Sequence, residues 1–133
     1  MTILLDTHAL LWWLTDSHRL SDAARLLIAD SANVTYVSAA SVWEIAIKIS
    51  LRRLAIAPNV GSWLLPALHA NRFTPLPISM AHAASVEHLP HLHADPFDRL
   101  LIAQAKLEEL WLMTSDAVIQ QYDVRVIRCD VEV

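Results

Sequence analysis

The chain opens on a short unbroken apolar run, residues 2–6 (TILLD), and runs of the same kind recur at 33–38 (NVTYVS), 110–114 (LWLMT) and 124–127 (VRVI). Each is strand-length and partly β-branched, which predicts four strands. Between them, apolar positions recur at helical spacing over 8–14, 21–31, 41–53, 60–70, 79–88 and 97–109, with Ser21 as an N-cap. Strands therefore alternate with helices. The strand runs are apolar throughout instead of alternating in and out, which predicts a parallel sheet covered on both faces and reached by right-handed crossovers. The expected fold is α/β, a three-layer α/β/α sandwich with a central parallel sheet. The stretches PNVGS at 58–62 and TPLPI at 74–78 read as connections, because apolar helices resume after each.

At 133 residues, 55% hydrophobic and 18% charged, the chain has material for one domain over 1–133 with a buried core. One Gly, six Pro and no low-complexity stretch exclude disorder as the main state. The single cysteine, Cys129, closes no internal disulfide and builds no thiolate zinc site, so a metal would be held by oxygen or imidazole. A reducing cytoplasm fits that usage. The apolar opening is interrupted at Asp6, His8 and Asp16 and lacks a basic leader, so neither a signal peptide nor a membrane helix is expected. A net charge of -4 argues against the broad basic footprint of a duplex-DNA binder, while leaving room for a nucleic-acid enzyme that uses bound cations.

In a parallel sheet the strand C-termini and helix N-termini share one edge, and ligands bind there. Asp6 ends the first strand, Glu44 falls in the first turn of the helix after the second, Asp98 opens the helix 97–109, and Asp116 follows LWLMTS. Four carboxylates from remote parts of the chain are thus expected at one edge. Held close, they repel, and each pKa rises unless a cation neutralises the group. An oxygen-only donor set suits Mg²⁺ or Mn²⁺, and such ions, singly or as a pair about 3.5–4 Å apart, serve metal-assisted phosphodiester hydrolysis. Each acid also has a plainer role. Asp95 is a natural N-cap before Pro96, with Asp98 at N3, and Asp116 can cap a short helix 117–121. Asp6 can cap as well, yet a carboxylate between an apolar strand and an apolar helix is poorly placed for solvent. Glu44 is the most telling, since VWEIAIKI is otherwise apolar apart from Lys48, its i,i+4 partner. The spacing 44, 48, 52 would align Glu44, Lys48 and Arg52 on one stripe suited to a phosphate backbone.

The segments ILLDTHALLWWL, SAASVWEIAIK, HADPFDRLLIAQA and LMTSD, in this order and across almost the whole chain, resemble the PIN-domain ribonucleases, and within them the VapC-type toxins of bacterial toxin–antitoxin pairs. The resemblance implies a parallel sheet between helices, Mg²⁺- or Mn²⁺-dependent endoribonuclease activity on RNA, and a small antitoxin that blocks the site. By position, the family's acidic site falls on Asp6, Glu44, Asp98 and Asp116. Asp95 is an extra carboxylate, a support for the site or an alternative ligand.

Thr7 and Ser115 each adjoin an acid, and their hydroxyls are candidates to orient a carboxylate or a metal-held water. Arg99 is a candidate for a phosphate oxygen or for pairing with Asp95. His88, His91 and His93 crowd one segment that reads as a solvated loop, with His93 the candidate substrate contact. The five Trp are expected mostly in the core, and an exposed Trp12 or Trp13 would mark a partner surface. So apolar a small domain leaves some apolar face over, which a homodimer, an antitoxin or both would cover. Two other classes compete. A haloacid-dehalogenase-type phosphohydrolase needs a second Asp two residues after the first, where this chain has His8, and a non-catalytic interaction domain would use all its acids as caps.

Overall fold

The computed structural model describes residues 1–131. Its elements in order are β1 (Thr2–Leu5), α1 (Thr7–Leu14), α2 (Asp22–Ala29), β2 (Val34–Ser38), α3 (Ala39–Ser50), α4 (Val60–Ala70), β3 (Thr74–Leu76), α5 (Met80–Ser85), α6 (Pro96–Leu107), β4 (Trp111–Thr114) and β5 (Val126–Arg128). Single 3-10 turns lie at Val86–His88 and Ile119–Gln121. The strands form one sheet in the order β3-β2-β1-β4-β5, and every pair is parallel.

Both faces of that sheet are apolar, which is what a doubly covered parallel sheet requires. Ile3, Leu5 and Met113 face a layer with Leu10, Ala24, Leu64 and Leu68 from α1, α2 and α4, while Leu4 and Leu112 face Leu101, Ile102 and Ala105 of α6. Leu4, Leu5, Leu112 and Met113 are fully buried, each burial contributing about 1.5–3 kcal/mol. The three-layer parallel α/β fold is as expected.

Three expectations need correction. TPLPI is not wholly a connection: Thr74–Leu76 form β3, with Pro75 opposite Val37. Proline lacks the N–H of an interior ladder, and β3 accommodates it because it is an edge strand with β2 as its sole neighbour. The helix expected over 41–53 runs instead from Ala39 to Ser50. Arg52 takes a left-handed φ of 57°, and Arg53 N–H donates to Lys48 C=O at 2.8 Å, a reversal that closes the helix. Arg52 therefore leaves the helical stripe that spacing assigned to it. Glu44 likewise sits in the second turn, not the first.

The chain moves outward from β1 through β2 to β3, then returns to β1's other side for β4 and β5. The reversal falls between β1 and β4, so a crevice is expected beyond the C-termini of these two strands.

Candidate active site

Asp6 directly follows β1 at that crevice. It caps α1, its Oδ1 accepting Ala9 N–H at 2.8 Å, and it is 2% exposed. Burial pushes its carboxyl above the ordinary range, only partly opposed by a hydrogen bond with Thr114, and Asp116 pushes it further. Next along the chain, buried Thr7 donates from Oγ1 to Glu44 Oε1 at 2.7 Å. Glu44 is itself 5% exposed, and its other oxygen accepts Lys48 Nζ at 2.7 Å. Lys48 thus makes the plain i,i+4 pair with Glu44, its ammonium at the rim of the acidic edge.

Asp95 and Asp98 divide their tasks. Asp95 is the N-cap of α6, its Oδ1 accepting Phe97 N–H at 2.8 Å and Asp98 N–H at 3.4 Å, with Pro96 in the first turn. Asp98 Oδ2 instead lies 3.1 Å from His93 Nε2. Burial, then the charges of Asp95, Asp6 and Glu44, push the Asp98 carboxyl up to about 7, against the pull of His93. The acids are therefore within one another's electrostatic reach. On Asp116, burial works upward, but the His93 hydrogen bond and Val118 N–H outweigh it and hold the carboxyl below its usual range. His93 Nε2 is 2.7 Å from Asp116 Oδ2, and Asp116 Oδ1 accepts Val118 N–H at 2.8 Å. Asp6, Asp95 and Asp116 each cap something. Glu44 and Asp98 do not, and that separates this edge from a set of helix caps.

Several candidates sit elsewhere than expected. The hydroxyl joining two acids is Thr114's, not Ser115's: Thr114 Oγ1 accepts Asp116 N–H at 3.0 Å and hydrogen-bonds Asp6. Arg99 meets Asp95 only through the helical backbone, its N–H donating to Asp95 C=O at 3.1 Å, and its guanidinium turns to other partners than the acids. It is buried, donating to the carbonyls of Pro90 at 2.8 Å, Val86 at 3.3 Å and Leu89 at 3.4 Å, so it is spent on holding that segment. His93 is not a solvated loop residue, its ring being turned onto two carboxylates. Tyr122 was not foreseen; its hydroxyl accepts His93 N–H at 2.8 Å and donates to Pro90 C=O at 2.9 Å. No local pattern marks it. Of the Trp, none is fully buried, and Trp43 is 57% exposed, packed edge-on against Phe97 at 5.1 Å.

Beside the acids a groove of about 470 Å³ runs between α3 and the start of α6, lined by Glu44, Lys48, Leu51, Arg53, Asp95 and Phe97. Arg53, not Arg52, lines it. The donor set suits a hard divalent cation, because burial and then neighbouring carboxylates raise Asp6 and Asp98, and a bound cation would favour their ionised forms. Thiolate is no part of it, since burial, then Asp6 and Asp130, push the Cys129 thiol up to about 12.

Residues 3–125 match the PIN domain family. The chain is 37% identical over 117 residues to Ribonuclease VapC22 of Mycobacterium tuberculosis, an alignment covering 86% of this chain and 87% of that protein. It belongs to the PIN-domain family, and within that family it is of the VapC type. Among solved structures, VapBC2 from Rickettsia felis bound to a DNA fragment from their promoter matches with a TM-score of 0.74 at 17% identity, over 98% of this chain and all (100%) of the matched one. FitAcB from Neisseria gonorrhoeae matches with a TM-score of 0.52 at 21% identity, over 95% of this chain and 96% of that one. At such identities these two likenesses speak for the fold.

Proposed function

We propose that the chain is a divalent-metal-dependent endoribonuclease that acts in the cytoplasm as the toxin of a toxin–antitoxin pair. The observation carrying this reading is the convergence of Asp6, Glu44, Asp98 and Asp116 at the β1/β4 crevice, with Asp98 raised to about 7 by burial and by its acidic neighbours. The name of the mycobacterial relative supports RNA as the substrate. Asp6, Glu44, Asp98 and Asp116 would hold Mg²⁺ or Mn²⁺, with Asp95 as cap and reserve ligand. A bound divalent cation supplies charge neutralisation and Lewis-acid activation of water for phosphodiester hydrolysis. The protein's own contribution is orientation. Thr7 fixes one oxygen of Glu44, Lys48 balances the other, and Thr114 ties Asp6 to the backbone N–H of Asp116. The purified chain, freed of any partner, should cleave RNA with Mg²⁺ or Mn²⁺ and stop in excess EDTA. Full activity in EDTA would reject the metal reading.

The substrate path we favour leaves the acids along the groove toward Lys48, Arg52 and Arg53. Lys48 is largely committed to Glu44, so the two exposed arginines carry the test. Arg52→Ala with Arg53→Ala should raise KM for RNA and lower the slope of log binding against log salt by about 0.7 per lost phosphate contact, with little change in Tm. Unchanged KM and slope would send the path elsewhere.

For the antitoxin, the surface we favour is the apolar groove of about 680 Å³ between α3 and α4, where Trp43 is 57% and Leu65 51% exposed. The VapBC2 complex among similar folds supports a partner of that kind, and a second copy of the chain is the other candidate cover.

A further inference from the structure

We propose that His93 is a positioning residue for the cation site: its Nε2–H bridges Asp98 and Asp116 and turns both carboxylates toward one point. This rests on the metal-dependent reading above. The ring nitrogens fix its chemistry. Asp95 N–H donates to His93 Nδ1 at 3.1 Å, so Nδ1 presents a lone pair and the proton of the neutral ring lies on Nε2. That nitrogen is 2.7 Å from Asp116 Oδ2 and 3.1 Å from Asp98 Oδ2, within reach of both acids at once.

These three side chains cluster tightly enough to be taken for a three-ligand metal site, every donor atom lying within 4.8 Å of the others. As a ligand, however, Nε2 would have to give up its proton to Nδ1, and Nδ1 would then face the Asp95 N–H with a proton of its own. The hydrogen bonds favour the donor role. The segment carrying His93 is pinned accordingly: Leu92 N–H and His93 N–H both donate to Tyr122 Oη, at 3.2 and 2.8 Å, while Tyr122 and Arg99 both donate to Pro90 C=O, at 2.9 and 2.8 Å. Buried Arg99 and Tyr122 thus set the backbone, the backbone and the Asp95 cap set the ring, and the ring sets two carboxylates. Without the ring, Asp98 regains rotational freedom and Asp116 is left to its backbone donor Val118 on the other oxygen, and cation binding must then order them.

The test is Mn²⁺ titration of the metal-free full chain, with free Mn²⁺ followed by electron paramagnetic resonance, for the wild type, His93→Ala and His93→Gln. His93→Ala should weaken Mn²⁺ binding about 10–100-fold, as loss of a partner behind metal ligands typically does. RNA cleavage should then need more Mn²⁺, with kcat largely regained at saturation. His93→Gln, whose amide N–H stands at the same remove from Cβ, should recover most of the affinity. Affinity unchanged in His93→Ala would overturn the proposal, and tighter binding would show the ring competing with the ion. Failure of His93→Gln to recover would overturn the donor role in favour of direct ligation. If the wild type binds no Mn²⁺, the metal-dependent reading itself falls and takes this proposal with it.

Discussion

Asp98→Asn is expected to abolish RNA cleavage and, at pH 8, to raise the melting temperature of the metal-free protein. Both effects come from the same charge. Burial and the carboxylates of Asp95, Asp6 and Glu44 raise Asp98 to about 7, so at pH 8 the fold carries a charge it disfavours. The amide is isosteric, keeps an oxygen for His93, and removes the repulsion. A gain near 1 kcal/mol would lift Tm by about 2–8 °C in a chain of this size. Cleavage should fall further than the roughly 10–100-fold typical of partners behind the ligands, because a ligand charge itself is lost. Thermal melts and a gel assay on one preparation decide it. Wild-type cleavage would remove Asp98 from the catalytic set, and a lowered Tm would mean that the buried carboxylate is held by attractions the geometry does not account for. Asp6→Asn is the companion. Its amide oxygen can still cap α1 at Ala9, so loss of cleavage there should come without loss of the helix.

What the sequence made legible follows the range of the physics involved. Strands β1 and β4 announce themselves because both faces of the sheet are buried there, which leaves the unbroken runs ILL and WLM, while β2 and the edge strand β5 show through short β-branched runs. Edge strand β3 does not, since its three residues include Pro75 and it is identified by pairing with β2 alone. Glu44 stood out because an acid in an apolar helix needs a partner, and Thr7 and Lys48 are those partners. The end of α3 was hidden: Arg52 at positive φ has no local marker of the kind a Gly would give. Trp43 misled for a related reason. Periodicity names a helix, but α3 is apolar nearly all round, so the pattern cannot say which side lies open. Thr114, Tyr122, Arg99 and His93 act through contacts that close only in three dimensions, as between Tyr122 and the Pro90–His93 segment. In sequence, each has the look of a strand end, a core aromatic, a surface cation or a loop imidazole.

The acidic edge also sets how the protein should respond to pH. In the folded, metal-free chain Asp98 titrates near 7 in place of its ordinary 3.8, and Asp6 is displaced the same way. Between these two values the native state keeps a proton that the unfolded chain has lost, so stability declines as pH rises through the window and levels off above it. The lowered carboxyls of Asp116 and Asp130 act in the opposite sense, but only below about pH 4, where unfolded carboxylates take up protons. A cation competes with the Asp98 proton, so its apparent affinity should fall about tenfold for each pH unit below 7. Melting curves in EDTA and in saturating Mn²⁺ should therefore lie close together at pH 5.5 and separate through pH 7. By pH 8.5 the separation should be constant, with the EDTA curve the one that has moved down. In Asp98→Asn the separation should be small at every pH. A gap between the two curves that ignores pH in the wild type would mean that the cation is held by groups already ionised throughout. Asp98 would then be a bystander to binding, and Asp116, whose carboxyl is held below its usual range, would be the residue to examine next.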